Sequence, residues 1–428
     1  MESVPRKRSV IFYIYYTFLI FFFLYQANLS FLGLPPQLHS SRLSMVVLAL
    51  SALMIVVRNN NRGKSRIFSM APVRKTLRLF AGLLLYGLFI SLLIGFGKGH
   101  NIVVTLLNFF IITIPSLWAF SIIFKTADEF INILFYVGLA QSVFVLLSVL
   151  SPSFATALSL TVNVSDMEDY QFIDMLENYA GGIGCISSIG VVRYSTGMAA
   201  CVYLYLKKKS PAYLLWLAFM SVIAAMIART GLIYVIMCFV FIMVGGLKSH
   251  SFIKVVLAIS IVGLITVGLL TNEKYEDFFQ ARYARFEELG EDKGQSFFDN
   301  YFHGEDTRIP PLNSETFFGT AILSGKSGNG YAVNVDGGPL RMYSAVGIIM
   351  CVVFYWIFFR TMLITASRTY DQEVKLFLLL LILCFVVAEF KEQFLLSSCP
   401  TVFFYTIVYL NRSPRPRPQI IIGAEVSN

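Results

Sequence analysis

The chain is a succession of apolar runs divided by short polar stretches, and the runs are too uniformly apolar to be the striped faces of soluble helices. They predict helices at about 10–33, 43–57, 77–96, 102–124, 130–150, 186–206, 212–228, 230–246, 253–271, 340–359, 374–390 and 394–410. Most approach the ~20 residues an α-helix needs to cross roughly 30 Å of hydrocarbon. The second run is short and has an alternative start near Leu38. The expected fold is therefore all-α: one integral membrane domain over residues 1–428, a polytopic bundle of about twelve spans. Two longer polar segments interrupt it, at 151–185 and 272–339, and a Pro-rich tail, 412–428, reads as disordered.

One run does not fit a single span. From Ala212 to Gly246 the only ionisable side chains besides tyrosines belong to Arg229, and a continuous helix over that stretch would be about 52 Å long, too long for one crossing. Lys207, Lys208 and Lys209 precede it and Lys248 and Lys254 follow it. The positive-inside rule puts both clusters in the cytoplasm, so the chain must cross twice and turn near Arg229, Thr230 and Gly231. Gly231 is expected to supply the backbone freedom of the reversal.

Composition agrees: 57% of the 428 residues are apolar, only 14% are charged and the mean hydropathy is +0.70, far outside the soluble range. The first run follows Arg6, Lys7 and Arg8 but has no small-residue cleavage site, so it reads as a retained span. Cysteines 185, 201, 238, 351, 384 and 399 form no CxxC pair and read as small apolar packing residues.

Charge gives the orientation. Most of the 34 basic residues fall in the segments assigned to the cytoplasm, whereas of the 25 acidic residues only Glu2, Asp128, Glu129, Asp371, Glu373 and Glu425 do. The net charge of +9 thus reflects membrane orientation, not nucleic-acid binding. Both termini are expected in the cytoplasm and both long segments on the opposite side, which makes that outer face the working face. No internal repeat is visible, which disfavours transporters built from repeated halves.

Three arginines fall near the outer ends of spans: Arg193 in GVVRYSTGMAA, Arg229 in ARTG and Arg341 in VDGGPLRMYSAVGI. Any one alone reads as an interfacial anchor. Three at one depth, each followed closely by Gly or Ser/Thr, read as a site for an anionic headgroup, because a guanidinium suits bidentate phosphate contact. EKYEDFFQARYARFEELGE, on the long segment, alternates aromatic and charged residues at helical spacing and predicts an amphipathic helix on the outer leaflet or over the site. The other long segment ends in GGIG, which offers a mobile lid, and FKEQF, with Glu389, Lys391 and Glu392, reads as a short outer turn with a local ion pair at the interface.

Four stretches carry a family resemblance. VVRYSTG resembles an Arg-x-Ser-Gly element with Thr196 inserted before Gly197; ARTGLI resembles a Ser-Arg-Ser/Thr-Gly turn with Ala228 in place of the serine. FFGTAILS resembles a Phe-Gly-x-Gly turn with Ala321 at the second glycine, and NVDGGPLRMYSAVGII resembles Asp-Ser-Gly-x-x-Arg ahead of a Gly-Ile helix, aligning Asp336, Gly338, Arg341 and Gly347. By these elements the chain resembles the Wzy-type O-antigen and capsule repeat-unit polymerases, relatives of the O-antigen ligases. The resemblance implies a GT-C-like membrane glycosyltransferase of the bacterial cytoplasmic (inner) membrane, acting on undecaprenyl-pyrophosphate-linked oligosaccharide among membrane lipids. It implies Arg193, Arg229 and Arg341 as the pyrophosphate-binding residues, no metal and no cofactor, and a chain-length regulator and a flippase as partners. Asp336 is the first candidate for the base that draws the proton from the attacking hydroxyl, with Glu315 and His303 as competitors.

Three other classes share parts of this pattern. An O-antigen ligase, moving glycan to lipid A-core, shares the layout and is distinguished by lying among core-oligosaccharide genes. A polysaccharide transporter or flippase is expected to carry ionisable residues at mid-span, whereas here they cluster at span ends. A metal-dependent dolichol-sugar transferase is disfavoured because the first outer loop, LPPQLHSSR, holds no carboxylate.

Overall fold

The computed structural model describes residues 8–29, 39–58, 65–161, 182–183, 187–228, 230–246, 317–326, 332–333, 337–391 and 393–412. Within them the chain is overwhelmingly helical. In order the helices are α1 (Val10–Tyr25), α2 (Ser40–Arg58), α3 (Ala71–Ile94), α4 (Ile102–Ile123), α5 (Ala127–Leu150), α6 (Pro152–Ser159), α7 (Ser187–Lys208), α8 (Pro211–Ile227), α9 (Thr230–Gly246), α10 (Gly338–Ser367), α11 (Gln372–Lys391) and α12 (Ser398–Asn411). Five of these, α2, α3, α4, α5 and α10, are long and apolar enough to cross a membrane.

The surface supports membrane residence. Ile11, Ile14 and Phe18 on α1, Leu92 on α3, Ile236 on α9 and Trp356 on α10 are each more than 60% exposed, an arrangement that water penalises and hydrocarbon does not. Inside, α7 is the central helix, packed against α5, α8, α9 and α11. Its crossing with α5 depends on paired glycines: a Cβ on Gly197 would lie 2.7 Å from the Cα of Gly138. Small residues let membrane helices approach closely where no hydrophobic effect drives them together.

At one end of the bundle Lys125, Asp128, Lys207, Asp371 and Arg412 line one cleft. Lys207 Nζ lies 2.5 Å from Asp128 Oδ1, and Arg8 Nε donates to Glu129 Oε1 over 3.2 Å, so both acids in the first turn of α5 are matched by bases. The opposite, distal end holds the helix termini that carry the sequence motifs.

Several elements depart from expectation. α1 stops at Tyr25 rather than near residue 33, because Gln26 takes a left-handed conformation (φ 47). The Ala27 carbonyl then accepts from Ser40 N, and Asn28 N donates to Thr161 O. The segment after residue 151 opens with the short helix α6 and not with a loop. Gly182, expected in a mobile lid, is buried against Gln141, whose Nε2 donates to the Ile183 carbonyl. The α8–α9 reversal falls where charge and length placed it, but Gly231 serves a different purpose from the expected one: it has no positive φ, and a Cβ there would meet the Ala224 carbonyl oxygen at 2.1 Å.

The distal end also holds a small antiparallel sheet, β1 (Lys98–Asn101), β2 (Ile322–Lys326) and β3 (Ala332–Val333), in the order β1-β2-β3. It ties the α3–α4 connection to the FFGTAILS segment, and Ile102 N, at the start of α4, donates to the Ala321 carbonyl. The expected span at 253–271 and the amphipathic stretch after it lie outside the described residues.

Candidate functional site

The FFGT and AVGI stretches form one structural unit. α10 breaks at Gly347 (φ 76, ψ 164), and the break frees carbonyls that Thr320 N and Ala321 N take up, at 2.8 Å from Ser344 O and 2.9 Å from Ala345 O. Thr320 Oγ1 adds a bond to Ser344 O. At membrane depth, backbone groups released from a helix have to find partners within the protein. Gly319 (φ 96) and Gly347 allow the close fit: a Cβ on either would lie 2.5 Å or less from a carbonyl oxygen of the other segment. Ala321, where the resembling pattern has a second glycine, sits in the left-handed region at φ 59, the conformation that explains a glycine preference there. The outcome is a half-helix, 338–346, whose first turn carries the part-buried Arg341.

Beneath this half-helix lies Glu389, which serves the turn's backbone and not the local ion pair expected of it. Glu389 is 3% exposed. Its Oε2 accepts from Phe394 N (2.8 Å) and Leu395 N (2.7 Å), and its Oε1 accepts from Tyr355 Oη (2.5 Å). The carboxylate therefore holds the turn between α11 and α12, and Gly338 packs directly on it. Lys391, by contrast, is exposed, and Glu392 lies outside the described residues.

Arg193 extends from α7 to the end of α1. Its Nη1 donates to the Tyr25 carbonyl (3.1 Å) and its Nη2 to Gln26 Oε1 (2.9 Å). With only 16 residues, α1 rises roughly 24 Å, so its last carbonyls end short of the bilayer boundary and need a donor. Those two bonds engage two of the five N–H groups of a guanidinium, and among the described residues Arg193 pairs with no carboxylate. Ser195 and Thr196, the hydroxyl residues after it, bond to the carbonyls of Val192 and Arg193 in their own helix. Of the VVRYSTG element, only the arginine is left to meet a ligand.

One group that sequence reasoning passed over is His39, just before α2: burial first, then the charges of Arg42 and Arg193, push its pKa below the usual imidazole value, so the ring is neutral near pH 7. The α11–α12 turn meets the Arg341 helix through Glu389.

Of the other site residues expected from sequence, Arg229, Asp336, Glu315 and His303 lie outside the described residues. Five cysteines, 201, 238, 351, 384 and 399, are buried free thiols, as their packing role requires. No protein-family model, curated protein or solved structure matches this chain.

Proposed function

We propose that the protein is a glycan polymerase that joins polyprenyl-pyrophosphate-linked oligosaccharide repeat units at the distal end of a GT-C-like bundle of twelve spans, with that end facing out of the cytoplasm. The observation that carries the reading is Arg193: a part-buried guanidinium at the end of the central helix, clear of carboxylates among the described residues, with N–H donors to spare. In a low-dielectric setting such a cation favours an anion, and the anion that a membrane enzyme meets at this depth is a lipid headgroup. Arg341, on the half-helix braced by Gly347, and Arg229, by its place in sequence, are the other two pyrophosphate ligands.

In the reaction the acceptor sugar hydroxyl attacks the anomeric carbon of the donor glycan. The bond from that carbon to the diphosphate oxygen breaks, and the electron pair leaves on the lipid diphosphate. Preorganised arginines stabilise the charge as it develops on the leaving group. The hydroxyl proton passes to a carboxylate or imidazole, for which Asp336 stands first and Glu315 and His303 next.

Substituting Arg229 with Lys, or Arg193 or Arg341 with Ala, leaves the protein in the membrane and stops chain extension, since lysine lacks the two-pronged phosphate contact. Gel analysis of surface polysaccharide from cells carrying each variant at normal membrane levels tests this. Full-length polysaccharide from all three variants would refute the pyrophosphate role. Deletion of the gene is expected to collapse the surface glycan to a single repeat. Complete loss of the glycan would favour a ligase or flippase instead.

A further inference from the structure

The seam between α1 and α5 repeats at one-turn spacing. Tyr13, Thr17 and Phe21 share one face of α1, and Tyr136, Ala140 and Phe144 share one face of α5. The rings of Tyr13 and Tyr136 meet at 6.3 Å and those of Phe21 and Phe144 at 5.6 Å, so the two helices run parallel and in register. The level between the ring pairs holds only Thr17 and Ala140, which leaves a notch with a floor of small side chains between two aromatic bridges. Phe18, 61% exposed, and Phe22 form its rim on α1. The groove has a volume of about 560 Å³, within the range of sites that hold small organic ligands, and the exposure of Ile14, Phe18 and Tyr136 opens it to the lipid side of the bundle.

The distal end of the groove adjoins Arg193. The Phe21 ring packs on that of Tyr25 at 4.8 Å, and the Tyr25 carbonyl is the one that Arg193 engages. Tyr194, next to Arg193, shares a 2.6 Å hydrogen bond with Ser142, which sets the start of α7 level with the stretch of α5 between Ala140 and Phe144. Within a bilayer the hydrophobic effect does not distinguish one lipid chain from another, so a groove selects its occupant by packing. A straight acyl chain spans the notch and leaves it empty. A chain with methyl branches and flat double bonds seats a branch in the notch and lays its flat segments on the rings, gaining the dispersion contacts that the straight chain forgoes.

We propose that the α1–α5 seam seats the isoprenoid chain of the lipid-linked diphosphate, with the Thr17–Ala140 notch selecting a branched chain over a straight one, an assignment that rests on the polymerase reading above. From Val10 to Phe22 the seam rises roughly 18 Å, more than half the hydrocarbon thickness. A diphosphate held at Arg193 has its first isoprene units beside Phe21 and Phe144 and the next ones over the notch.

The test is equilibrium binding to the full chain in phosphatidylcholine nanodiscs, with three probes: inorganic pyrophosphate, a 55-carbon polyprenyl diphosphate and an unbranched alkyl diphosphate. The parent protein is expected to bind the polyprenyl diphosphate about tenfold tighter than the alkyl one. Ala140→Phe, which fills the notch, is expected to remove that preference and to bind inorganic pyrophosphate like the parent. Val143→Phe, at a lipid-facing position of α5 outside the groove, is expected to change none of the three affinities. Equal affinity of the parent for the two lipid diphosphates, a reading that needs no variant, would overturn the isoprenoid assignment and leave the polymerase reading standing. An undiminished preference in Ala140→Phe would do the same, and so would a loss of inorganic pyrophosphate in that variant to match the loss of lipid. If the parent binds neither inorganic pyrophosphate nor the polyprenyl diphosphate, the polymerase reading itself fails.

Discussion

The break in α10 gives the sharpest structural prediction. Replacing Gly347 with alanine would place a Cβ 2.1 Å from the Phe317 carbonyl oxygen and 2.7 Å from the Phe318 carbonyl carbon. The backbone there, φ 76 and ψ 164, belongs to a region essentially restricted to glycine, which costs other residues about 1–3 kcal/mol. Relieving the overlap means moving the 317–321 segment away from the kink. Thr320 N and Ala321 N then lose their carbonyl partners, and each unsatisfied buried group costs about 1–3 kcal/mol. Together the terms reach about 3–9 kcal/mol, comparable to the whole stability of a typical domain. Thermal unfolding of the detergent-purified protein should show it as a fall of roughly 6 °C or more, at about 2–4 °C per kcal/mol. Gly82→Ala is the matched control: the site in α3 has open space around it, so the added methyl should change stability by no more than about 1 kcal/mol. If Gly347→Ala melted within about 2 °C of the parent, as Gly82→Ala should, the account of the clasped break would be wrong.

Two further substitutions test the same region. Glu389→Ala leaves Phe394 N, Leu395 N and the Tyr355 hydroxyl without their acceptor and should cost about 3 kcal/mol or more, whereas Glu389→Gln keeps an oxygen for the two N–H groups and should cost about 1 kcal/mol; equal melting temperatures for the two variants would contradict the turn-holding role. At Ala321, φ 59 and fully buried, glycine should be tolerated within about 1 kcal/mol while valine, β-branched in the left-handed region, should cost about 2 kcal/mol or more, again read by thermal unfolding.

The apolar helices were legible because hydrocarbon thickness sets a length: the break between α8 and α9 follows from a run too long for one crossing with lysines at both ends. Other features depend on pairing between distant parts of the chain and leave little local trace. KGHN, at 98–101, is too short and polar to announce a strand and becomes one only beside 322–326. The apolar run of α10 continues across Gly347, so periodicity alone conceals the break that Thr320 and Ala321 complete. FKEQF reads as a charged, solvated turn until its glutamate is seen to receive backbone N–H groups from five and six residues later. Arg193 is recognisable as costly, but the Tyr25 carbonyl and the Gln26 side chain that receive it carry no local signal, since they depend on where α1 ends.

The central claim is that distal arginines, Arg193 foremost, carry the lipid diphosphate through the reaction and supply its charge stabilisation. The most direct measurement is chain extension by the purified full-length protein given polyprenyl-diphosphate-linked repeat units in the presence of EDTA. The account predicts a ladder of extended products from the parent protein and none from Arg193→Ala. A strict requirement for added divalent metal, or an undiminished ladder from Arg193→Ala, would contradict it.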